Sequence, residues 1–197
     1  VTSWATVNSI NQERYGFASA GTSTAAIGVG GNPPSGPGTG YATLTESWNG
    51  TNWTEVNDLS TARYLAGNGA GSQTSAIVAG GGNPPAQALT ETWNGTNWTE
   101  VNNLNTARNH LGMFGGYSGN TAALAFGGEN DSSTKQAVTE EWNGISWVET
   151  SDLSTARHYV AGAGTTSAGI AVGGDPALSQ TEEWTSPSST TKTISTD

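Results

Sequence analysis

Nine residues, Asn49–Asn57, recur letter for letter at Asn94–Asn102. The surrounding phrase, Trp48 to Arg63, returns as Trp93 to Arg108 and more loosely as Trp142 to Arg157, with Trp142-Asn143-Gly144-Ile145-Ser146-Trp147 at its head. A phrase repeated at this spacing restricts the chain to architectures that set copies of one supersecondary unit side by side. Each phrase reads as a β-hairpin. Two aromatic-bearing strands meet at Asn-Gly, a pair that takes the positive φ angles of a tight type I′ turn.

Further landmarks define four units. One tryptophan sits at Trp4, Trp53, Trp98 and Trp147, at spacings of 49, 45 and 49 residues, and a second at Trp48, Trp93, Trp142 and Trp184. An arginine recurs at Arg14, Arg63, Arg108 and Arg157, and a glycine doublet at Gly30-Gly31, Gly80-Gly81, Gly127-Gly128 and Gly173-Gly174. Between these lie four short strand-like segments per unit. A Gly/Ala-rich one follows the arginine (Tyr15–Gly21, Tyr64–Gly71, His110–Tyr117, His158–Gly164). A small apolar one ends in the doublet (Ala25–Gly31, Ser75–Gly81, Ala122–Gly128, Ala168–Gly174). The other two strands form the hairpin. Short, evenly spaced strands in units of 45 to 49 residues select a β-propeller with four antiparallel strands per blade.

The order arginine, apolar strand, Gly-Gly, variable loop, aromatic, hairpin, Trp resembles the Kelch repeat over residues 4 to 184. The family usually carries Tyr at the first aromatic, where this chain has Trp48, Trp93, Trp142 and Trp184. The resemblance implies a four-bladed Kelch-like propeller over residues 1–184, followed by a Ser/Thr-rich tail or linker over 185–197. The chain enters on an outermost strand (Ser3–Asn8) and leaves its fourth unit on a third strand at Trp184. Kelch-like rings close by such interlocking, so the N-terminal strand is expected to complete the last blade and remove its free edge. The same arithmetic fits a piece of a longer array, or two chains sharing one eight-bladed ring. The eight tryptophans are expected between blades, each burying on the order of 150–250 Å².

Composition narrows the function. Lys+Arg total 6 against 16 Asp+Glu, a formal charge of −10, and so acidic a surface has nothing with which to displace phosphate counterions. Nucleic acid is therefore not an expected partner. With no cysteine, neither disulfides nor thiolate metal sites arise. No apolar run reaches membrane-spanning length, so membrane insertion is not expected. The opening Val1-Thr2-Ser3-Trp4, lacking Met and a signal-like segment, is expected of a processed product or a fragment.

Loops that vary between otherwise similar repeats are where binding is expected. They emerge on the face opposite the Asn-Gly hairpins, and the candidate binding residues are Asn32, Pro33, Pro34, Tyr41, Asn83, Pro84, Asp131, Lys135 and Asp175. Each unit pairs its arginine with a glutamate two residues before the second tryptophan: Glu46, Glu91, Glu140 and Glu182. One Arg and one Glu per blade point to structural ion pairs holding the turn. The Asn-x-Ser/Thr triplets at Asn49, Asn52, Asn94, Asn97 and Asn130 read as turn chemistry duplicated with the repeat.

Catalytic and metal residues do not emerge. His110 and His158 occupy nearly matching repeat positions, with no evident nucleophile or orienting carboxylate. Glu140-Glu141 and Glu182-Glu183 alternate across a strand, so their side chains face opposite ways. Copper-holding Kelch oxidases need a Cys–Tyr cross-link, and sialidase-type propellers an Asp before the aromatic; Asn49-Gly50-Thr51-Asn52-Trp53 lacks it. No enzyme activity, cofactor or metal is expected.

The near-verbatim hairpins and Thr/Asn/Gly-rich surface resemble Kelch-like repeat proteins of bacteriophages and aquatic bacteria. That resemblance implies a non-enzymatic module on a virion surface (tail, fibre or decoration protein), serving assembly or host attachment. Its partners would be other virion or surface proteins, or glycans. The alternative is a secreted carbohydrate-binding propeller.

Overall fold

The structure, a computed structural model, describes residues 3–34, 40–65, 69–82, 85–117, 119–176 and 179–186. Four antiparallel meander sheets follow one another as a four-bladed β-propeller. The first blade contains β1 (Ala18–Gly21), β2 (Ala26–Val29), β3 (Thr45–Trp48) and β4 (Trp53–Val56). The second contains β5 (Gly69–Ser72), β6 (Ser75–Ala79), β7 (Thr90–Trp93) and β8 (Trp98–Val101). The third contains β9 (Gly112–Phe114), β10 (Ala123–Phe126), β11 (Thr139–Trp142) and β12 (Trp147–Glu149). The fourth contains three strands, β13 (Ala161–Gly164), β14 (Ala168–Val172) and β15 (Thr181–Thr185).

The Gly/Ala-rich strands are innermost. β1 packs beside β5, β5 beside β9 and β9 beside β13. Small residues permit that approach: a Cβ built on Gly69 would lie 3.1 Å from the Ser19 carbonyl oxygen. The second strands carry the apolar wedge between blades. Ile27 and Val29 cluster with Leu65, Ala76, Val78 and Trp93 across the first seam. Across the second, Ile77 and Ala79 meet Leu111, Ala123, Ala125 and Trp142.

Polar contacts repeat with the same phase. Asn57 of the first blade donates its amide to Thr96 O and to Asn97 Oδ1 of the second, at 3.0 and 2.7 Å. The second glycine of the first three doublets donates its N–H to the arginine carbonyl of the next blade: Gly31 to Arg63 (3.0 Å), Gly81 to Arg108 (2.9 Å) and Gly128 to Arg157 (2.9 Å). The first doublet glycine leaves no room for a side chain, since a Cβ on Gly80 (φ +67°) would lie 2.7 Å from Arg108 O.

The hairpins differ from the expected two-residue turn. Register pairs Trp93 with Trp98, so the loop is the four residues Asn94–Asn97. Gly95 takes positive φ (+91°), whereas Asn94 does not. Asn94 works through its side chain instead: Oδ1 accepts the backbone N–H groups of Thr96 (2.9 Å) and Asn97 (2.8 Å), an Asx-type cap. Asn49 and Asn143 repeat the arrangement.

The N-terminal closure expected from the repeat phase is not present. Ser3–Asn8 belongs to no strand, and β15 has no fourth-strand neighbour among the described residues. Trp4 is fully exposed rather than buried between blades. The chain is nonetheless held from Asn8 onward: its amide donates to Thr51 O (3.0 Å) and Asn52 Oδ1 (2.7 Å). This matches the Asn57 contact one blade later, by which the end of one outer strand is fastened to the next blade, so Asn8 holds the segment's end to the first blade. Of the other tryptophans, Trp48, Trp93, Trp142 and Trp147 are buried, while Trp53, Trp98 and Trp184 are half-buried.

Candidate binding surface

Each arginine turn is built around an ion pair, buried in the first three blades and half-buried at Glu182 in the fourth. Arg63 meets Glu91 at 2.8 Å, Arg108 meets Glu140 at 2.9 Å, Arg14 meets Glu46 at 2.6 Å, and Arg157 meets Glu182 at 2.8 Å. The second carboxylate oxygen accepts a backbone N–H at the turn's start, from Asn11 (2.8 Å), Ser60 (2.9 Å), Asn105 (2.7 Å) and Ser154 (2.7 Å). Arg63 also donates to Gly80 O (3.1 Å) and Leu89 O (2.6 Å), tying the doublet to the strand that carries its glutamate. Burial pushes the Arg63 and Arg108 guanidinium pKa values down, and the facing glutamates offset part of that. Consumed by these contacts, the arginines are anchors for the turns above them.

Those turns meet the loops after the doublets in single β-bridges: Tyr15 with Asn32, Tyr64 with Gly82, Asn109 with Glu129 and His158 with Asp175. The bridges bring a band of rings together on the variable-loop face. Tyr64 stands edge-on to Tyr15 (6.1 Å), Tyr41 (6.3 Å) and His110 (5.5 Å). Tyr159 lies 4.2 Å from His110 and 4.6 Å from His158, and its hydroxyl is 3.1 Å from His110 Nε2. Burial, followed by neighbouring phenols, pushes the Tyr64 pKa up; burial does the same at Tyr159. Both phenols therefore stay protonated around neutrality and available as donors.

Glu129 sits between the two imidazoles. Its Oε1 is 3.0 Å from His110 Nδ1 and its Oε2 is 2.9 Å from His158 Nδ1, the second contact being close but not aligned as a hydrogen bond. Lys135 pairs with Asp175, whose Oδ2 is also 3.5 Å from His158 Nε2. The lysine holds the Asp175 carboxyl below the usual range. Among the described residues, no group of three His, Asp or Glu side chains is arranged to hold a metal ion.

The residues expected at this surface are distributed unevenly. Asn32 donates its amide to Tyr15 Oη (2.9 Å), Tyr41 touches Tyr64, and Lys135 and Asp175 pair at the histidine end. Asp131 reaches the backbone N–H of Ala86 in the neighbouring blade's loop. Pro33 and Pro34 follow Asn32, and Asn83 and Pro84 lie outside the described residues. Tyr15, Tyr64, Glu129 and Tyr159 are not among the binding residues expected from the sequence, and His110 and His158 nearly match in repeat position. The β-bridges show that His158 matches Asn109, one residue earlier in its unit. The carboxylate that His110 and His158 lack in sequence is Glu129, the residue after a doublet. The bond from Gly128 N–H to Arg157 O sets that residue beside His158 of the next blade.

No family model matches the chain, and no curated protein matches it significantly.

Proposed function

We propose that this chain is a non-enzymatic, Kelch-like β-propeller module of a virion surface, a tail, fibre or decoration component acting in assembly or host attachment through its variable-loop face. The observation that carries the reading is the aromatic–imidazole band from Tyr15 to Tyr159, set among loops that differ between repeats and mounted on four Arg–Glu anchors. Rigid aromatic side chains with polar tips supply contact area at low entropic cost, as recognition surfaces require. The histidines and Glu129 are engaged with one another, which suits a preorganised polar patch. The acidic, Gly/Thr/Asn-rich composition and the homogenised hairpins support the surface location. Quantitative mass spectrometry of purified particles tests it: a fixed copy number per particle supports the proposal, and absence from particles overturns it.

A specific observation favours a second reading, a secreted carbohydrate-binding propeller. Tyr15 and Tyr159 are 55% and 56% exposed, at opposite ends of the band, and flat exposed rings suit stacking against sugar faces. Binding on a glycan array that disappears in Tyr15→Ala/Tyr159→Ala would favour it over the virion reading if the chain is also absent from particles.

A further inference from the structure

Among the described residues, the ends of the array lack several contacts that the first two seams repeat, although Asn8 keeps the equivalent of the Asn57 bonds. At the first seam the indole N–H of Trp98 donates to Thr45 Oγ1 (3.0 Å), and at the second Trp147 donates to Thr90 Oγ1 (2.9 Å). The next step of this series is Trp4 to Thr139 and the one after is Trp53 to Thr181. Neither bond is present among the described residues. The Gly174 N–H and the Arg14 carbonyl, equivalents of the Gly31–Arg63 pair, likewise form no bond among the described residues. Ile170 is 42% exposed, where its repeat equivalents Ile27, Ile77 and Leu124 are 0%, 0% and 2% exposed.

A cavity of about 250 Å³ lies between the third and fourth blades, lined by Phe114, Leu124, Phe126, Thr139, Leu153 and Trp184 among others. Trp98 packs against the corresponding cluster at the first seam, and Trp147 belongs to the corresponding cluster at the second. This cavity is the place of the missing outer-strand tryptophan. β15 beside it carries Trp184, whose equivalents pair directly with an indole across the hairpin: Trp48 with Trp53 and Trp93 with Trp98, at ring distances of 5.4 and 5.3 Å. Trp4-Ala5-Thr6-Val7 matches β4 and β8 (both Trp-Thr-Glu-Val) in spacing and is unused. The donor strand and the acceptor edge are both present. Among the described residues they do not pair, although Asn8 and Asn11 hold the segment's end to the first blade as Asn57 and Ser60 hold the end of the first blade's outer strand to the second.

We propose that two copies of this chain join reciprocally. The Trp4–Val7 segment of each adds as the outer strand to β15 of the other, its indole fills the cavity against Thr139, and the exposed Ile170 faces meet the first blades. Each chain then loses its free sheet edge, and the two form one array of eight blades, within the size range of propellers. A heterologous contact used twice about a two-fold axis closes on itself, so the assembly ends at two chains.

The absence of native cysteine makes a direct test available. By the repeat register, Ala5 faces Glu183 as Thr54 faces Ser47. The doubly substituted chain, Ala5→Cys with Glu183→Cys, is oxidised at low concentration and analysed without reductant. A covalent dimer of twice 20.1 kDa is the expected product. A cross-linked monomer shows closure by the chain's own strand and overturns the proposal, as does a product without cross-links or a ladder of higher multiples. Sedimentation of Trp4→Ala provides the second measurement. Because Trp4 is fully exposed in its own chain, the variant keeps its far-UV spectrum, and its dimer dissociation constant rises about 30-fold or more, as for loss of a buried aromatic anchor. An unchanged constant overturns the proposal.

Discussion

The indole N–H of Trp147 in the third blade donates to the hydroxyl of Thr90 in the second, 2.9 Å away and buried. One hydrogen bond thus fixes the outer strand of one blade to the third strand of its neighbour. Thr90→Val keeps the shape and removes the acceptor, leaving a buried indole N–H unsatisfied. The expected loss is about 1–3 kcal/mol in urea unfolding. Thr139→Val, at the equivalent site with no indole in its own chain, is expected to leave monomer stability nearly unchanged.

The Arg63–Glu91 pair is the clearest energetic test of the turn anchors. Both side chains are essentially inaccessible, at 0% and 1% exposure. Arg63→Met leaves a buried carboxylate that keeps the Ser60 N–H but has lost its guanidinium, and frees the carbonyls of Gly80 and Leu89. Loss of one partner of a buried pair costs about 3–5 kcal/mol. Adding Glu91→Gln to that variant is expected to recover part of the loss, because an amide is cheaper to bury alone than a charge. Equal stability of the single and double variants would contradict the assignment.

At the hairpin tips the asparagine side chain matters more than the glycine dipeptide suggests. Asn94→Ala removes an acceptor shared by two backbone N–H groups, an expected loss of about 1 kcal/mol by analogy with other caps. Gly95→Ala is expected to cost at least as much: it forces a side chain to φ +91°, with its Cβ 3.2 Å from Thr74 O. Thermal melts of the two variants check both.

Asp175 gives the variable-loop face an acid-sensitive contact. Its carboxyl pKa is lowered in the folded state, chiefly by the hydrogen bond from Lys135. A depressed folded pKa contributes stability that is present above the ordinary carboxylate value of about 3.9 and is lost as pH falls through the folded value. Asp175→Asn is therefore expected to melt slightly below the wild-type temperature at pH 6. The two curves should converge as acid titrates Asp175 in the wild type, a comparison made by melting between pH 6 and pH 2.

Much of this architecture was legible because duplication had written it several times. The hairpin phrase, the doublets and the apolar runs define strands through short-range alternation, and β2, β6, β10 and β14 fall inside the expected segments. Three features were not legible, each for a reason of geometry. Asn94-Gly95 fits a two-residue turn, but Trp93–Trp98 pairing fixes a four-residue loop, and a side-chain cap takes over. Trp4 has the spacing of a core residue, yet burial depends on whether another blade reaches it, which no local pattern states. Glu129 meets His158 through the bond between successive blades, and sequence distance conceals that contact.

The variable-loop face as the binding surface is the account's central claim, and a comparison of the two faces tests it most directly. Wild type, Tyr15→Ala/Tyr159→Ala on the loop face, and Thr51→Ala/Thr96→Ala on the exposed hairpin tips are measured for binding to intact bacterial cells and to a glycan array. The account predicts that binding falls at least tenfold with the tyrosine substitutions and is unchanged by the threonine ones. Full binding by the tyrosine variant, with loss in the threonine variant, would contradict it.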